Sequence, residues 1–96
     1  MNPNTPVKVI FKRYASEVIA LFPALPGDTN PLRTCLSYQH IGKHGAATMD
    51  LFLLPAATAP EWTPLMKELE SIGYTLRVGR RATKSDRAAR MRACGM

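Results

Sequence analysis

Apolar and polar positions alternate from the first apolar stretch onward. In "VKVIFKR", Val7, Val9 and Phe11 fall on one side and Lys8 and Lys12 on the other, with Ile10 the exception. That period of two predicts a half-buried strand over residues 7–13. "EVIALF" is apolar at every position after Glu17 and is stopped by Pro23, the pattern of a strand at 17–22 covered on both faces. "YAS" turns the chain between them, making a hairpin. "PALPGDTNP", residues 23–31, holds three prolines with Gly27, Asp28 and Asn30 and reads as a loop. "RTCLSYQ" resumes the alternation, with Thr34, Leu36 and Tyr38 opposite Arg33, Cys35 and Ser37. After "HIGKHGAAT", read as a glycine-shaped connection, "MDLFLL" at 49–54 predicts a fourth strand ended by Pro55.

The period then changes. Leu65, Met66, Leu69 and Ile72 form an apolar stripe with Lys67, Glu68 and Glu70 on the wet side, predicting a helix. Thr58 with Glu61 has the spacing of a capping box, and Thr63–Pro64 is a second start signal. A proline deep in a helix costs about 3 kcal/mol, so the helix is placed at 64–72 with 59–63 as a leading turn. Gly73 supplies the left-handed stop. "YTLRVGRR" predicts a last strand with Tyr74, Leu76 and Val78 inward. "TKSDRAARMRA" predicts a short helix capped by Thr83 with Asp86 three residues on.

The resulting order, β-β-β-β-α-β, is that of a single small α+β domain: a mostly antiparallel sheet, one helix on a face, and a basic C-terminal tail or short helix. Residues 1–6 form a loose lead-in, 7–81 the domain and 82–96 the basic segment. Ninety-six residues leave room for one core. The longest apolar runs are short, broken by proline and well below the ~20 residues needed to span a bilayer, so no membrane is expected. The start lacks a signal-peptide pattern, and Cys35 and Cys94 lie far apart, which together suggest a cytoplasmic setting with free thiols.

Charge changes the picture once it is located. The net charge is +6. Residues 1–76 carry six Lys/Arg and six Asp/Glu, whereas residues 77–96 carry seven Lys/Arg and only Asp86. The excess is therefore Arg77, Arg80, Arg81, Lys84, Arg87, Arg90 and Arg92, a cluster of the kind that neutralises phosphates by counterion release. If 83–93 is helical, Lys84, Arg87 and Arg90 share one side. Few aromatics are free for base stacking and no helix-turn-helix, zinc-finger or RNA-recognition signature is present. Contact with nucleic acid would thus be backbone-dominated and sequence-tolerant. The competing readings are a solvated segment and a surface for an acidic host protein.

The stretch "CLSYQHIGKHGAATMD" concentrates the remaining chemistry. Cys35, His40, His44 and Asp50 are all possible zinc donors, but Gly42 and Gly45 oppose the helix on which an i,i+4 histidine pair would converge, and no CxxC knuckle is present. A Cys–His nucleophilic pair lacks an orienting motif. A structural loop ranks first, a binding loop built from Tyr38, His40, Lys43 and His44 second, and a metal site third; no catalytic residue, metal or cofactor is assigned.

"VIFKR", "EVIALFP", "CLSYQHIGKHGAA" and "LMKELESIGYTLRV" together resemble a group of small uncharacterised proteins of bacterial phages and conjugative elements. These share an ALFP-like run, an SYxHxGxHG-like stretch, in which Lys43 occupies an open position, and an IGYxLxV-like ending. The resemblance spans roughly residues 8–81 and stops before the basic segment. It implies a mobile-element origin and no known activity. The functional expectation is a non-enzymatic accessory protein touching nucleic acid through its C-terminal segment. The alternative is a protein-binding modulator of a host defence or replication complex, acting through the histidine loop or a sheet edge.

Overall fold

The computed structural model describes residues 6–39 and 43–95, the side chain of Lys43 excepted. The fold is α+β: five strands in the order β4-β3-β2-β1-β5, with two α-helices. β1 (Val7–Tyr14), β2 (Glu17–Phe22) and β3 (Thr34–Gln39) form an antiparallel meander, whose three strands and first hairpin are those that the patterns predict. The hairpin register pairs Tyr14 with Glu17, leaving Ala15 and Ser16 as a two-residue turn with Ala15 at φ 58°.

β2 is buried on both sides because the sheet has a core on each face. On one face Val9, Phe11, Ala20, Phe22 and Tyr38 pack against Leu65 and Leu69 of α1 (Ala59–Ser71). On the other, Ile19, Leu21, Cys35 and Ala47 are covered by Met49, Leu51 and Phe52. This second face corrects the fourth-strand expectation. "MDLFLL" is not a strand: Met49–Leu53 is a 3-10 helix laid across the sheet, and the fourth strand is β4 (Lys43–Thr48), the stretch read as a loop. β4 pairs Gly45 with Ser37 and His44 with Tyr38. An apolar run of that length has the same signature whether it enters a sheet or covers one.

Past the 3-10 helix, Pro55–Ala57 runs beside β1: Arg13 N–H donates to Pro55 and Ala57 N–H to Phe11. α1 then starts at Thr58, not at Pro64. Glu61 Oε1 accepts from both the N–H and the hydroxyl of Thr58 at 2.8 Å, and Trp62 N–H closes on Thr58 O. Pro64 sits inside the helix and forgoes one bond, to Pro60, an exposed residue of the first turn. One lost bond near an exposed end is a smaller cost than a mid-helix break. The C-terminus is as predicted: Gly73 takes φ 113°, its N–H bonds Glu70 O, and Tyr74 N–H bonds Leu69 O. That is a Schellman arrangement, with Tyr74 and Leu69 in the same core.

β5 (Leu76–Val78) lies parallel to β1, pairing Val7 with Leu76 and Val9 with Val78. A helix crossover is what allows a parallel neighbour in an otherwise antiparallel sheet. Val78, expected inward, is exposed. α2 (Lys84–Ala93) closes the chain with a reciprocal box: Thr83 N–H to Asp86 Oδ2 at 2.9 Å and Asp86 N–H to Thr83 Oγ1 at 3.2 Å.

Gly27 marks a close crossing of backbones. A Cβ there would lie 2.4 Å from Cys35 O and 2.8 Å from Ala46 Cα, main-chain atoms that cannot swing aside. Gly27→Ala is expected to destabilise the protein by about 2 kcal/mol, in the range of core overpacking. Chemical denaturation checks this; an unchanged midpoint would show that the crossing is looser than described.

Candidate nucleic-acid interface

α2 is not a free tail. Its inward side carries Asp86 and Arg90, both buried, with Ala89 and Ala93 beside a groove lined by Val7, Leu25 and Lys8. Lys8 Nζ donates to Asp86 Oδ2 at 2.8 Å and to Arg81 O at 2.7 Å. Lys8 leaves β1 on the same face as Ile10, so α2 lies across the sheet from α1. Gly79 makes room for this strut, since a Cβ there would sit 2.5 Å from Lys8 Cε.

Arg90 overturns part of the sequence expectation. It is 2% exposed, its Nε donates to Pro31 O at 2.9 Å and its Nη1 donates to Pro23 O. It stitches α2 to both ends of the β2–β3 loop and offers nothing to a partner. Helical phase explains the miss: positions 86, 89, 90 and 93 share one side, with Lys84 opposite and Arg87 at its margin, so Arg90 neighbours Arg87 yet faces inward.

The other six cations are exposed: Arg77 on β5, Arg80 and Arg81 in the link, and Lys84, Arg87 and Arg92 on α2. Among the described residues the ion pairs are Lys8–Asp86 and Arg13–Glu61, so none of the six is held by a carboxylate. The carboxylates of α1, namely Glu61, Glu68 and Glu70, belong to the helix on the opposite face. Asp28 is near the end of α2, where Cys94 Sγ approaches its carbonyl, but its carboxylate is occupied by the Thr34 hydroxyl and the Asn30 N–H, which hold its pKa below the usual value.

Burial pushes the Asp86 pKa up, but the Lys8 ammonium and the Thr83 N–H and hydroxyl outweigh it and leave the carboxyl below its ordinary value of 3.8. A carboxyl with a depressed folded-state pKa contributes stability that is present above the unfolded value and lost as pH falls through the folded one. Asp86→Asn should therefore destabilise the protein at pH 7, with the gap to wild type closing as pH drops below about 4. Denaturation midpoints across that range would expose an error if the gap stayed constant.

The histidine stretch resolves differently from expectation. Tyr38 is no exposed contact: it is 2% exposed, and its hydroxyl donates to Glu68 on α1. His44 is exposed, set edge-on to Tyr38 (centroids 4.7 Å) with Nε2 2.9 Å from Tyr74 Oη. Tyr74 in turn stacks on Phe22. His44 and Tyr38 thus join α1, β3, β4 and Tyr74, just before β5, in one polar-aromatic cluster. His40 and the Lys43 side chain, both expected in a binding loop, lie outside the described residues. Cys35 points to the opposite face of the sheet from His44, so the two cannot share a metal ion. Burial raises the Cys35 thiol to about 11, which makes it a packing residue and not a nucleophile. Among the described residues no group of three metal-ligating side chains comes together, and no helix is long and apolar enough to cross a membrane.

Comparison with known proteins gives no match, whether to family models, to curated proteins or to solved structures. The α+β class is defined by the fold itself, and the functional reading stands on the surface of the molecule.

Sequence reading missed Lys8 as the strut of α2. It also left Lys12 on the solvent side of β1, where the structure buries it. The uninterrupted apolar run of β2 was the available signal, because a strand covered on both faces implies the same for its neighbour.

Proposed function

We propose that this protein is a non-enzymatic accessory protein, of mobile-element origin, that binds nucleic acid through the phosphate backbone. The observation that carries the reading is the set of six exposed cations on β5, the link and α2, none of them paired with a carboxylate among the described residues. Such a surface releases counterions from a polyanion. Docking by Lys8 and Arg90 supports it further, since cations held on an ordered helix lose less freedom on binding than cations on a loose tail. With no recognition helix free of the body, contact is with phosphates and tolerant of sequence. Fluorescence anisotropy with random-sequence duplex and single strands at low salt tests the proposal. Binding that salt reverses is the expected result, and absence of binding removes the reading.

A second reading is favoured by one observation. β4 is the outer strand of the sheet, and among the described residues nothing pairs with its far side. An open edge can accept a strand from a protein partner. Capture of a defined partner from nuclease-treated lysate, lost on Ala46→Pro, would favour it over the first.

A further inference from the structure

β1 changes partners along its length. Val9 O accepts from Gly79 N–H at 2.8 Å, where β5 ends, and Phe11 O accepts from Ala57 N–H at 3.1 Å, where the Pro55–Ala57 segment takes over. Between the two neighbours lies a cavity of about 400 Å³, lined by Ile10, Lys12, Ala56, Trp62, Val78 and Arg80 among others. Pockets that hold small ligands are of this size, mostly apolar with a few placed polar groups.

Lys12 is the unusual member. The residue is 9% exposed, and its side chain makes no hydrogen bond or ion pair with any described residue. Its nitrogen is nonetheless not sealed off, because no buried side-chain nitrogen among the described residues lacks a partner. The stem is buried while the ammonium reaches solvent, unpaired by any carboxylate among the described residues, so the charge remains available to an anion. Arg80 lines the same cavity and belongs to the exposed basic surface. Trp62 supplies an aromatic wall: one face of the indole stacks on Phe11 (centroids 5.1 Å, 7° between planes), and the residue is only half-buried.

From this we infer that the cavity binds one nucleotide unit, its phosphate between Lys12 and Arg80 and its base against Trp62 and the apolar wall. The inference deepens the nucleic-acid reading and rests on it: a single strand running along Arg80 and Arg81 would turn one nucleotide into the cavity. Base–aromatic stacking is tolerant of sequence, in keeping with a backbone-dominated interface.

Trp62 is the only tryptophan in the chain, so all tryptophan emission comes from this wall of the cavity. The experiment follows Trp62 fluorescence and the anisotropy of a labelled ten-residue oligothymidylate in the same titration, with thymidine monophosphate as a second arm. Binding of the oligonucleotide with quenching of Trp62 is expected. Lys12→Met keeps the apolar stem, and should abolish the quenching and weaken oligonucleotide binding by at least about tenfold, the value of one charged hydrogen bond. Quenching by the monophosphate as well identifies the free nucleotide as a sufficient ligand; quenching by the oligonucleotide alone identifies the strand. Binding without quenching overturns the nucleotide cavity and leaves the basic surface intact. No binding and no quenching overturns both. Should Lys12→Met fail to fold, the wild-type emission still decides between these outcomes.

Discussion

Replacing Arg90 with methionine is expected to lower the free energy of unfolding by about 2 kcal/mol and the melting temperature by roughly 10 °C. Two opposed effects set that magnitude. The guanidinium is buried and, among the described residues, has no carboxylate paired with it, so its removal relieves a desolvation cost of several kcal/mol. Against this, hydrogen bonds to a charged donor contribute about 1.5–3 kcal/mol each, and Pro31 O and Pro23 O both accept from Arg90. Losing both donors leaves two carbonyls unanswered beneath a helix otherwise fastened by Lys8–Asp86. Methionine keeps the apolar volume, so the loss reads mainly as carbonyls without partners. Thermal and denaturant unfolding measure it. A change below about 0.5 kcal/mol, the scale of an ordinary surface substitution, would mean that Arg90 does not fasten α2.

The largest expected effect on binding comes from reversing three exposed cations together, Arg81→Glu, Arg87→Glu and Arg92→Glu. Each side chain is exposed and without a carboxylate partner among the described residues, so stability should stay within about 0.5 kcal/mol. Each lost phosphate contact is worth about a factor of ten near 0.1 M salt by counterion release, and affinity should fall about a thousandfold. The loss should be equal for unrelated sequences, because phosphate contacts carry no base information. Lys67→Glu, on α1 and thus on the opposite face, is the control and should change affinity little. Equal losses from both proteins would point to overall charge and not to this surface.

Much of the fold is legible in the sequence where local pattern and tertiary environment agree. Two strands of the meander, β1 and β3, follow from period two and β2 from its unbroken apolar run, the start of α2 from Thr83 and Asp86, and the end of α1 from Gly73. Disagreement arises where one local signal serves two environments. "MDLFLL" is apolar because it covers a face of the sheet, a role that hydrophobicity alone cannot separate from joining it. "KHGAAT" resembles a loop because its residues are small, yet β4 is an edge strand whose pairing with β3 depends on main-chain bonds more than on side chains. Pro64 looks like a start because an interior proline is costly, but the Thr58–Glu61 contacts begin the helix earlier and the lost bond falls in its exposed first turn.

The site divides in the same way. Counting charges locates the basic segment but cannot separate cations that face water from those that face protein. Arg90 becomes distinguishable only when the helical phase of Asp86, Ala89 and Ala93 is combined with the docking of α2. Lys12 escapes notice for the converse reason: strand alternation assigns it to solvent, and only the second covered face turns it inward.

The central claim is that six exposed cations form a phosphate-binding surface, and the salt dependence of affinity for random duplex DNA tests it most directly. Six contacts predict a log–log slope near −5 and a loss of about three orders of magnitude between 50 and 200 mM salt. A slope near zero, or binding that persists unchanged at high salt, would contradict the account.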